Sequence, residues 1–245
     1  MSKGAHTFWL PRRGNSPAEY EDAFAADEAA GRYAVADGAT ESCFAGLWAR
    51  LLVEEFAHQA AGDVAQWPAS VPALQQRWDA DVRGRTLPWY AEPGVERGAS
   101  ATFLGIVLTA TREASSQWQA VAVGDTCLLH TRGAALLRAF PLEHSQQFNN
   151  FPRLVGSRMS VEDICGRQHL WADGQGRPAD RLWMLTDALA QCCLAEHEAG
   201  GNPWAELESL LAAPDAGERF TAWIEGLRDT GRLHNDDVTL LAIPL

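Results

Sequence analysis

Five aspartates in this 245-residue chain share one kind of sequence setting, the end of a strand-like segment or a turn beside one. They are Asp22, Asp37, Asp125, Asp187 and Asp236. Each by itself is more simply explained as a turn residue, because aspartate side chains commonly cap turns. If the fold brings the five together, their charges repel and raise each other's pKa unless a cation compensates.

Carboxylate and carbonyl oxygens are ligands that suit Mg²⁺ or Mn²⁺, whereas the chain offers no dense set of histidines for zinc. Two such ions, about 3.5–4 Å apart, can hold a bridging water as hydroxide and orient it for in-line attack on phosphorus. The recurring aspartates therefore predict metal-dependent hydrolysis of a phosphoester. Gly38, which follows Asp37, would let the backbone approach whatever that carboxylate binds.

Strands and helices that could position these residues follow from the hydrophobic periodicity. Strands are predicted at 6–10, 33–36, 101–109, 118–123, 127–130, 135–140, 165–171, 181–186 and 238–243, and a strand edge at 19–25. Helices are predicted at 43–58, 69–82, 188–199, 203–213 and 217–230. Loops are predicted at 84–98, 143–158 and 173–176. Because no linker divides the chain, residues 1–245 are predicted to form a single domain.

Composition narrows the classes of function. A formal charge of −12 and a pI near 5.0 argue against binding to the phosphate backbone of nucleic acids. No apolar run approaches the length of a membrane span. The five cysteines include no Cys-x-x-Cys pair, which favours a reducing, cytoplasmic setting over disulfides or a thiolate zinc site.

Ordered motifs along nearly the whole chain resemble those of one known family. They are Glu21-Asp22-Ala23, Ala36-Asp37-Gly38, Gly98-Ala99-Ser100-Ala101-Thr102, Val123-Gly124-Asp125-Thr126, Leu142-Glu143-His144-Ser145, Asp180 to Leu189, and Asp236-Asp237-Val238-Thr239-Leu240. The resemblance is to the metal-dependent serine/threonine protein phosphatases of type 2C, in their bacterial form. It implies an α+β fold, a four-layer α-β-β-α sandwich in which two antiparallel central sheets are flanked by helices.

The resemblance also implies an activity: hydrolysis of phosphoserine or phosphothreonine in proteins by a metal-bound hydroxide, without a phosphoenzyme. The implied cofactors are two Mg²⁺ or Mn²⁺ ions, with a third site in bacterial members. The implied partners are a phosphorylated protein and a cognate serine/threonine kinase. The sequence does not indicate an oligomeric state.

By the same resemblance, Asp37 bridges two ions and Gly38 offers its carbonyl to one of them. The other implied metal-binding residues are Glu21 and Asp22 through water, Asp187 and Asp236 at one ion, and Asp125 with Asp187 at the third site.

Three positions depart from the family pattern. Pro17 stands where the phosphate-binding arginine is usual, so either Arg12 or Arg13 takes that role or both are solvated loop arginines. Ala188 replaces a glycine, which costs about 1 kcal/mol if that position needs positive φ. The region with His144, which is expected to be structural, is short for a large substrate flap.

These departures keep two alternatives open. One is a catalytically weak or inactive phosphatase fold that serves as a regulatory or binding module. The other is a phosphatase whose substrate is a small, non-protein phosphomonoester.

Overall fold

The computed structural model describes residues 4–59, 64–86, 92–110, 115–149, 151–160, 163 and 169–245. Within these ranges the strands form two five-stranded sheets and one two-stranded ribbon, and every strand pair is antiparallel. None of the helices in the same ranges is long and apolar enough to cross a membrane.

The first sheet contains β1 (His6–Leu10), β7 (Cys127–Arg132), β8 (Ala135–Phe140), β11 (Asp180–Leu185) and β12 (Val238–Pro244). Its spatial order is β1-β12-β11-β7-β8. The second sheet contains β2 (Ala23–Asp27), β3 (Arg32–Ala36), β5 (Phe103–Ala110), β6 (Ser116–Val123) and β10 (Leu170–Gly176). Its order is β10-β6-β5-β3-β2. The ribbon pairs β4 (Ser100–Ala101) with β9 (Val155–Gly156).

The helices cover the outer faces of the two sheets. They are α1 (Ala45–His58), α2 (Val71–Arg83), α3 (Glu92–Arg97), α4 (Asp187–Glu198), α5 (Pro203–Ala212) and α6 (Ala216–Asp229). Short 3₁₀ turns occur at Pro17–Glu19, Val64–Ser70 and Ser145–Gln147.

Three apolar clusters separate four layers. The central cluster joins the facing sides of the sheets and includes Val35, Leu104, Leu182 and Leu241. A second cluster packs α1 and α2 on the second sheet, and a third packs α4, α5 and α6 on the first. The sandwich expected from the sequence is therefore confirmed. Because β3 and β12 are covered on both sides, they read as continuous apolar runs instead of alternating ones.

Three sequence expectations need correction. The stretch 173–176, expected to be a loop, is the second half of β10, which pairs with β6 from Leu170 to Gly176. The expected loop at 84–98 contains α3, although residues 87–91 lie outside the described ranges. The first helix begins at Ala45, because Phe44 adopts a left-handed conformation with φ of 58°. Residues 164–168, where a strand was expected to begin, also lie outside those ranges.

A network of charged side chains around Asp180 stabilises the first sheet. It does not involve the five candidate site aspartates. The side chain of Asp180 has no exposed surface and accepts hydrogen bonds from Arg132 Nε and Nη2, at 2.6 and 2.8 Å. His130 Nε2 lies 3.1 Å from the same carboxylate. Hydrogen bonding from Arg132, with smaller contributions from the Arg177 backbone and His130, holds the pKa of Asp180 well below its usual range.

Candidate active site

Strand register places the five aspartates at one end of the sandwich. In the second sheet, Ala23 at the start of β2 pairs with Ala36 at the end of β3, so the residues beside them, Asp22 and Asp37, lie at the same edge. In the first sheet, Cys127 pairs with Leu185, which places Asp125 and Asp187 at a corresponding edge. Asp236 comes just before β12, a neighbour of β11.

The charges of these side chains interact. Burial raises the pKa of Asp37 well above its ordinary value, and repulsion from Asp22, Asp187, Asp236 and Asp125 raises it further. The Asp37 carboxylate therefore interacts electrostatically with the other four, although the chain separates Asp22 from Asp236 by about 200 residues. The structure brings the sequence-derived aspartates together.

Asp125 and Asp187 show the same effect. Burial, then repulsion by Asp187, raises the pKa of Asp125 to about 7. Burial and repulsion by Asp236 raise the pKa of Asp187 to about 6, even though the Ala188 N–H and His234 favour its charged form. The Ala188 N–H donates to Asp187 Oδ1 at 2.5 Å, at the N-terminus of α4.

The hydrogen bonding of Asp22 indicates whether a cation would suit this group of five aspartates. It is 5% exposed, and its Oδ2 accepts a hydrogen bond from Thr239 Oγ1 at 2.7 Å. Its Oδ1 is buried and has no hydrogen-bond partner among the described residues. An unpaired buried carboxylate oxygen is costly. A hard divalent cation would satisfy this oxygen and offset the repulsion among its neighbours.

The side chains are gathered but do not enclose a finished coordination shell. In the described ranges, no group of three or more histidine, cysteine, aspartate or glutamate side chains is close enough to hold one ion. The donors present, all carboxylate and carbonyl oxygens, nevertheless have the chemistry that Mg²⁺ and Mn²⁺ prefer.

Gly38 is required by close packing. A Cβ at this position would lie 2.6 Å from the Glu21 carbonyl oxygen and 3.0 Å from the Ala45 Cβ. Gly38 also forms a bridge to Ala101. Its lack of a side chain thus brings the backbone of Glu21 against the Asp37-Gly38 turn, a contact that the sequence did not predict.

Asp237 is a positioning residue that the sequence analysis did not single out. It is 6% exposed, and its two oxygens accept the backbone N–H of Arg12 and of Glu21, each at 2.7 Å. One side chain from the start of β12 therefore fixes two residues of the N-terminal segment. Its place beside Asp236 in the final motif is a signal that could have identified it.

Arg12 and Arg13, which were equivalent candidates in the sequence, have different surroundings. Arg13 donates to the carboxylates of Glu225 and Asp229 on α6. Arg12 Nη1 lies 3.4 Å from Thr40 Oγ1. Burial raises the pKa of Glu21, and the charge of Arg12 opposes that rise. Arg12 thus lies beside Thr40 and Glu21, whereas Arg13 fastens the loop to α6.

Arg228 also attaches the loop that carries Arg12 and Arg13 to α6. Arg228, which is 8% exposed, donates to the carbonyl oxygens of Pro11 and Asp236 at 3.1 and 2.6 Å. It also pairs with Glu225 at 2.7 Å. The segment that carries Arg12 is therefore held to α6 and to Asp236, two residues before β12.

The other positions that depart from the family pattern are Ala188, Pro17 and the region with His144, and each has a simple structural setting. Ala188 lies in the first turn of α4, and the described non-glycine residues with positive φ are Phe44 and Ala179, so the alanine carries no such strain. Pro17 begins a 3₁₀ turn. His144 is exposed and lies 3.3 Å from Glu198, which agrees with a structural role.

Comparison with known proteins identifies the fold. No protein-family model matches the sequence, and no curated protein matches it. Among solved structures, the Mycobacterium tuberculosis serine/threonine phosphatase PstP/Ppp has 19% identity, a TM-score of 0.63 and coverage of 99% of each chain. The catalytic domain of PstP in complex with two manganese ions has 19% identity, a TM-score of 0.61 and coverage of 98% of this chain and 97% of that one.

PppA, a regulatory component of the Pseudomonas aeruginosa T6SS, has 18% identity and a TM-score of 0.58, over 98% of this chain and 97% of its own. The chain therefore has the fold of the type 2C serine/threonine phosphatases, as the ordered motifs had suggested. At this level of identity the likeness establishes the fold and leaves the activity to be argued from the site.

Proposed function

We propose that this protein is a divalent-metal-dependent phosphatase that removes phosphate from phosphoserine or phosphothreonine in proteins. The observation that carries the proposal is the gathering of Asp22, Asp37, Asp125, Asp187 and Asp236 at one end of the sandwich, where Asp22 Oδ1 is buried and unpaired. Such a cluster is costly for a folded protein unless it binds cations.

The proposed metal-binding residues are those aspartates together with Glu21 and the Gly38 carbonyl. Bound Mg²⁺ or Mn²⁺ would supply Lewis acidity at the phosphoryl group and offset its charge. Asp37 has the central position, because its carboxylate is repelled by each of the other four aspartates. Thr239 orients Asp22 through its hydroxyl group, which donates to Asp22 Oδ2.

Arg12 is proposed to bind the substrate phosphate. A guanidinium group matches a phosphate dianion with two parallel hydrogen bonds. The backbone N–H of Arg12 is held by Asp237, which limits the freedom of its side chain relative to Glu21. Arg13 is proposed to have a positioning role, since its guanidinium group already pairs with two carboxylates.

Hydrolysis of 4-nitrophenyl phosphate by the purified protein tests the activity. We expect turnover to require Mn²⁺ or Mg²⁺, to stop on chelation, and to be lost in Asp37→Asn. Asp173→Asn, at an exposed position on β10, is the matched control and should retain activity. Full activity of Asp37→Asn, or turnover that survives chelation, would contradict the proposal.

Two further measurements address the alternatives. Calorimetric titration with Mn²⁺ separates a phosphatase from a metal-free binding module, because the module should bind no ion even at millimolar concentrations. Phosphopeptides compared with small phosphomonoesters at equal concentration separate a protein substrate from a small one. A higher kcat/KM for every small phosphomonoester would overturn the assignment to phosphoproteins.

A further inference from the structure

An open groove of about 530 Å³ adjoins the carboxylate cluster. Its lining includes Glu21 and Thr40 near the cluster and three arginines, Arg12, Arg50 and Arg85. The arginines come from separate parts of the chain. Arg12 precedes β2, Arg50 lies on α1, and Arg85 follows α2.

Arg50 and Arg85 lack an acidic partner among the residues that the structure describes. Arg50 and Arg85 are exposed, and within the described ranges neither forms an ion pair with a carboxylate. Arg85 instead lies over the ring of Phe44, with its Cζ 5.1 Å from the ring centre. A guanidinium group over a ring keeps its N–H donors at the edge of its plane, where they are left for a ligand.

The acids in the groove have other partners. The Glu19 carboxylate accepts hydrogen bonds from the Ser16 N–H and hydroxyl groups, at 2.9 and 2.8 Å. Glu21 interacts with the charge of Arg12 and with those of Asp236 and Asp237. The end of the groove with Arg50 and Arg85 is therefore left with positive charge, on a protein whose formal charge is −12.

A positively charged groove on an acidic protein affects which substrates bind beside the site. An acidic protein repels phosphorylated, acidic substrates on average, whereas a basic groove beside the site attracts them and favours one binding direction. An extended peptide advances about 3.3 Å per residue, so side chains near a phosphorylated residue at the cluster would enter the same groove.

We propose that this groove is a second anion subsite, in which Arg50 and Arg85 bind an acidic or phosphorylated side chain close in sequence to the residue that is dephosphorylated. The inference rests on the proposed phosphatase function and adds a preference among phosphopeptides. Arg12 serves the reacting phosphate, while Arg50 and Arg85 recognise its anionic neighbour.

Peptides of one length test the subsite. Each carries one phosphothreonine in a neutral background, and either aspartate or a non-hydrolysable phosphonate analogue of phosphoserine at successive neighbouring positions. We expect one set of positions to raise kcat/KM, and Arg50→Gln or Arg85→Gln each to reduce that gain by about fivefold, the upper range for an exposed charge pair. A larger gain from phosphonate than from aspartate would identify a second phosphate as the ligand.

Two controls isolate the groove. Arg77→Gln removes an exposed arginine of α2 outside the groove and should leave the preference unchanged. All three variants should hydrolyse 4-nitrophenyl phosphate at the parent rate. A preference for acidic neighbours that persists in the Arg50→Gln and Arg85→Gln double variant, or an equal kcat/KM for acidic and neutral peptides, would overturn the inference.

Binding separates failure of the groove from failure of the phosphatase assignment. Fluorescent peptides that carry a phosphonate at the scissile position are titrated onto the parent protein and the variants. Tighter binding of the acidic peptides, lost in the Arg50→Gln and Arg85→Gln variants, supports the subsite even if no substrate is hydrolysed. Equal affinity for acidic and neutral peptides overturns the subsite even if hydrolysis proceeds.

Discussion

Asp125→Asn is expected to stabilise the metal-free protein at high pH. Burial raises the pKa of this carboxyl group from 3.8 to about 7, and ionised Asp187 and Asp236 contribute. Because the folded protein holds the proton more tightly than the unfolded chain, the favourable contribution is complete below pH 3.8 and is lost as the pH rises through about 7. Asparagine keeps the shape and removes the charge.

The size of the effect follows from the two pKa values. One pKa unit corresponds to about 1.4 kcal/mol, so the raised pKa of Asp125 costs the folded protein about 4 kcal/mol at about pH 8, where the group is ionised, and about 2 kcal/mol at about pH 5, where the folded protein must keep it protonated. These are upper values, since neighbouring carboxylates share the protons. For a chain of this size, 4 kcal/mol corresponds to roughly 8–16 °C in Tm.

The assay is urea unfolding in the presence of EDTA, at about pH 5 and about pH 8, for the parent and Asp125→Asn. Asp173→Asn serves as the exposed control and should not change the free energy of unfolding. Added Mn²⁺ should stabilise the parent more than Asp125→Asn at the higher pH. The reasoning would be refuted if Asp125→Asn were no more stable than the parent in EDTA at about pH 8, or if its gain were equal at both pH values.

Three further substitutions probe the site and the fold. Gly38→Ala places a Cβ 2.6 Å from the Glu21 carbonyl oxygen, so we expect a loss of roughly 1–3 kcal/mol in urea unfolding and a loss of Mn²⁺-dependent hydrolysis. Asp237→Ala leaves the N–H groups of Arg12 and Glu21 unpaired, which should cost roughly 2 kcal/mol and lower kcat/KM, while Asp237→Asn should retain more of both. Asp180→Asn should cost roughly 2 kcal/mol at neutral pH, because its arginine partner is partly exposed and can rehydrate. Since the folded pKa of Asp180 is lowered, its contribution is present above pH 3.8 and lost as the pH falls below it, so the variant and the parent should converge in acid urea unfolding.

Each of these three expectations has a contrary result. Parent-like activity in Gly38→Ala would show that the turn can shift without cost. Equal kinetics of Asp237→Ala and the parent would exclude a positioning role for that carboxylate. A difference between Asp180→Asn and the parent that persists unchanged at low pH would mean that packing, and not charge, accounts for the loss.

The order of elements was largely predictable from periodicity. The apolar runs at β3, β11 and β12 and the amphipathic pattern of α1 each correspond to observed elements. The exceptions have local reasons. The glycines in β10 read as a loop, yet Gly174 lies against the Trp118 ring, where a Cβ would be 2.4 Å from a ring atom. A glycine that makes room for an aromatic side chain has the same sequence signal as a turn.

The candidate site was predictable in its residue types and unpredictable in its supports. The five aspartates were selected because each ends or precedes a strand, and antiparallel strands that pair in register bring such ends together. Nothing in the chain distinguishes Arg12 from Arg13, since their environments depend on Glu225 and Asp229 of α6, more than 200 residues away. In the tertiary structure Arg13 attaches the loop to α6, whereas Arg12 lies beside Thr40 and Glu21.

By itself the sequence determined which chemistry was favoured: hard oxygen ligands at strand ends, with no dense set of histidines and no Cys-x-x-Cys pair. Only the tertiary structure decided which groups share a site. Asp237 acts through contacts with backbone atoms, and Arg50 and Arg85 share a groove because two helices and a loop converge there. Residue type and periodicity can be read from a short stretch of chain. Whether a charge is paired or buried depends on residues that are distant in the sequence and close only in the folded protein.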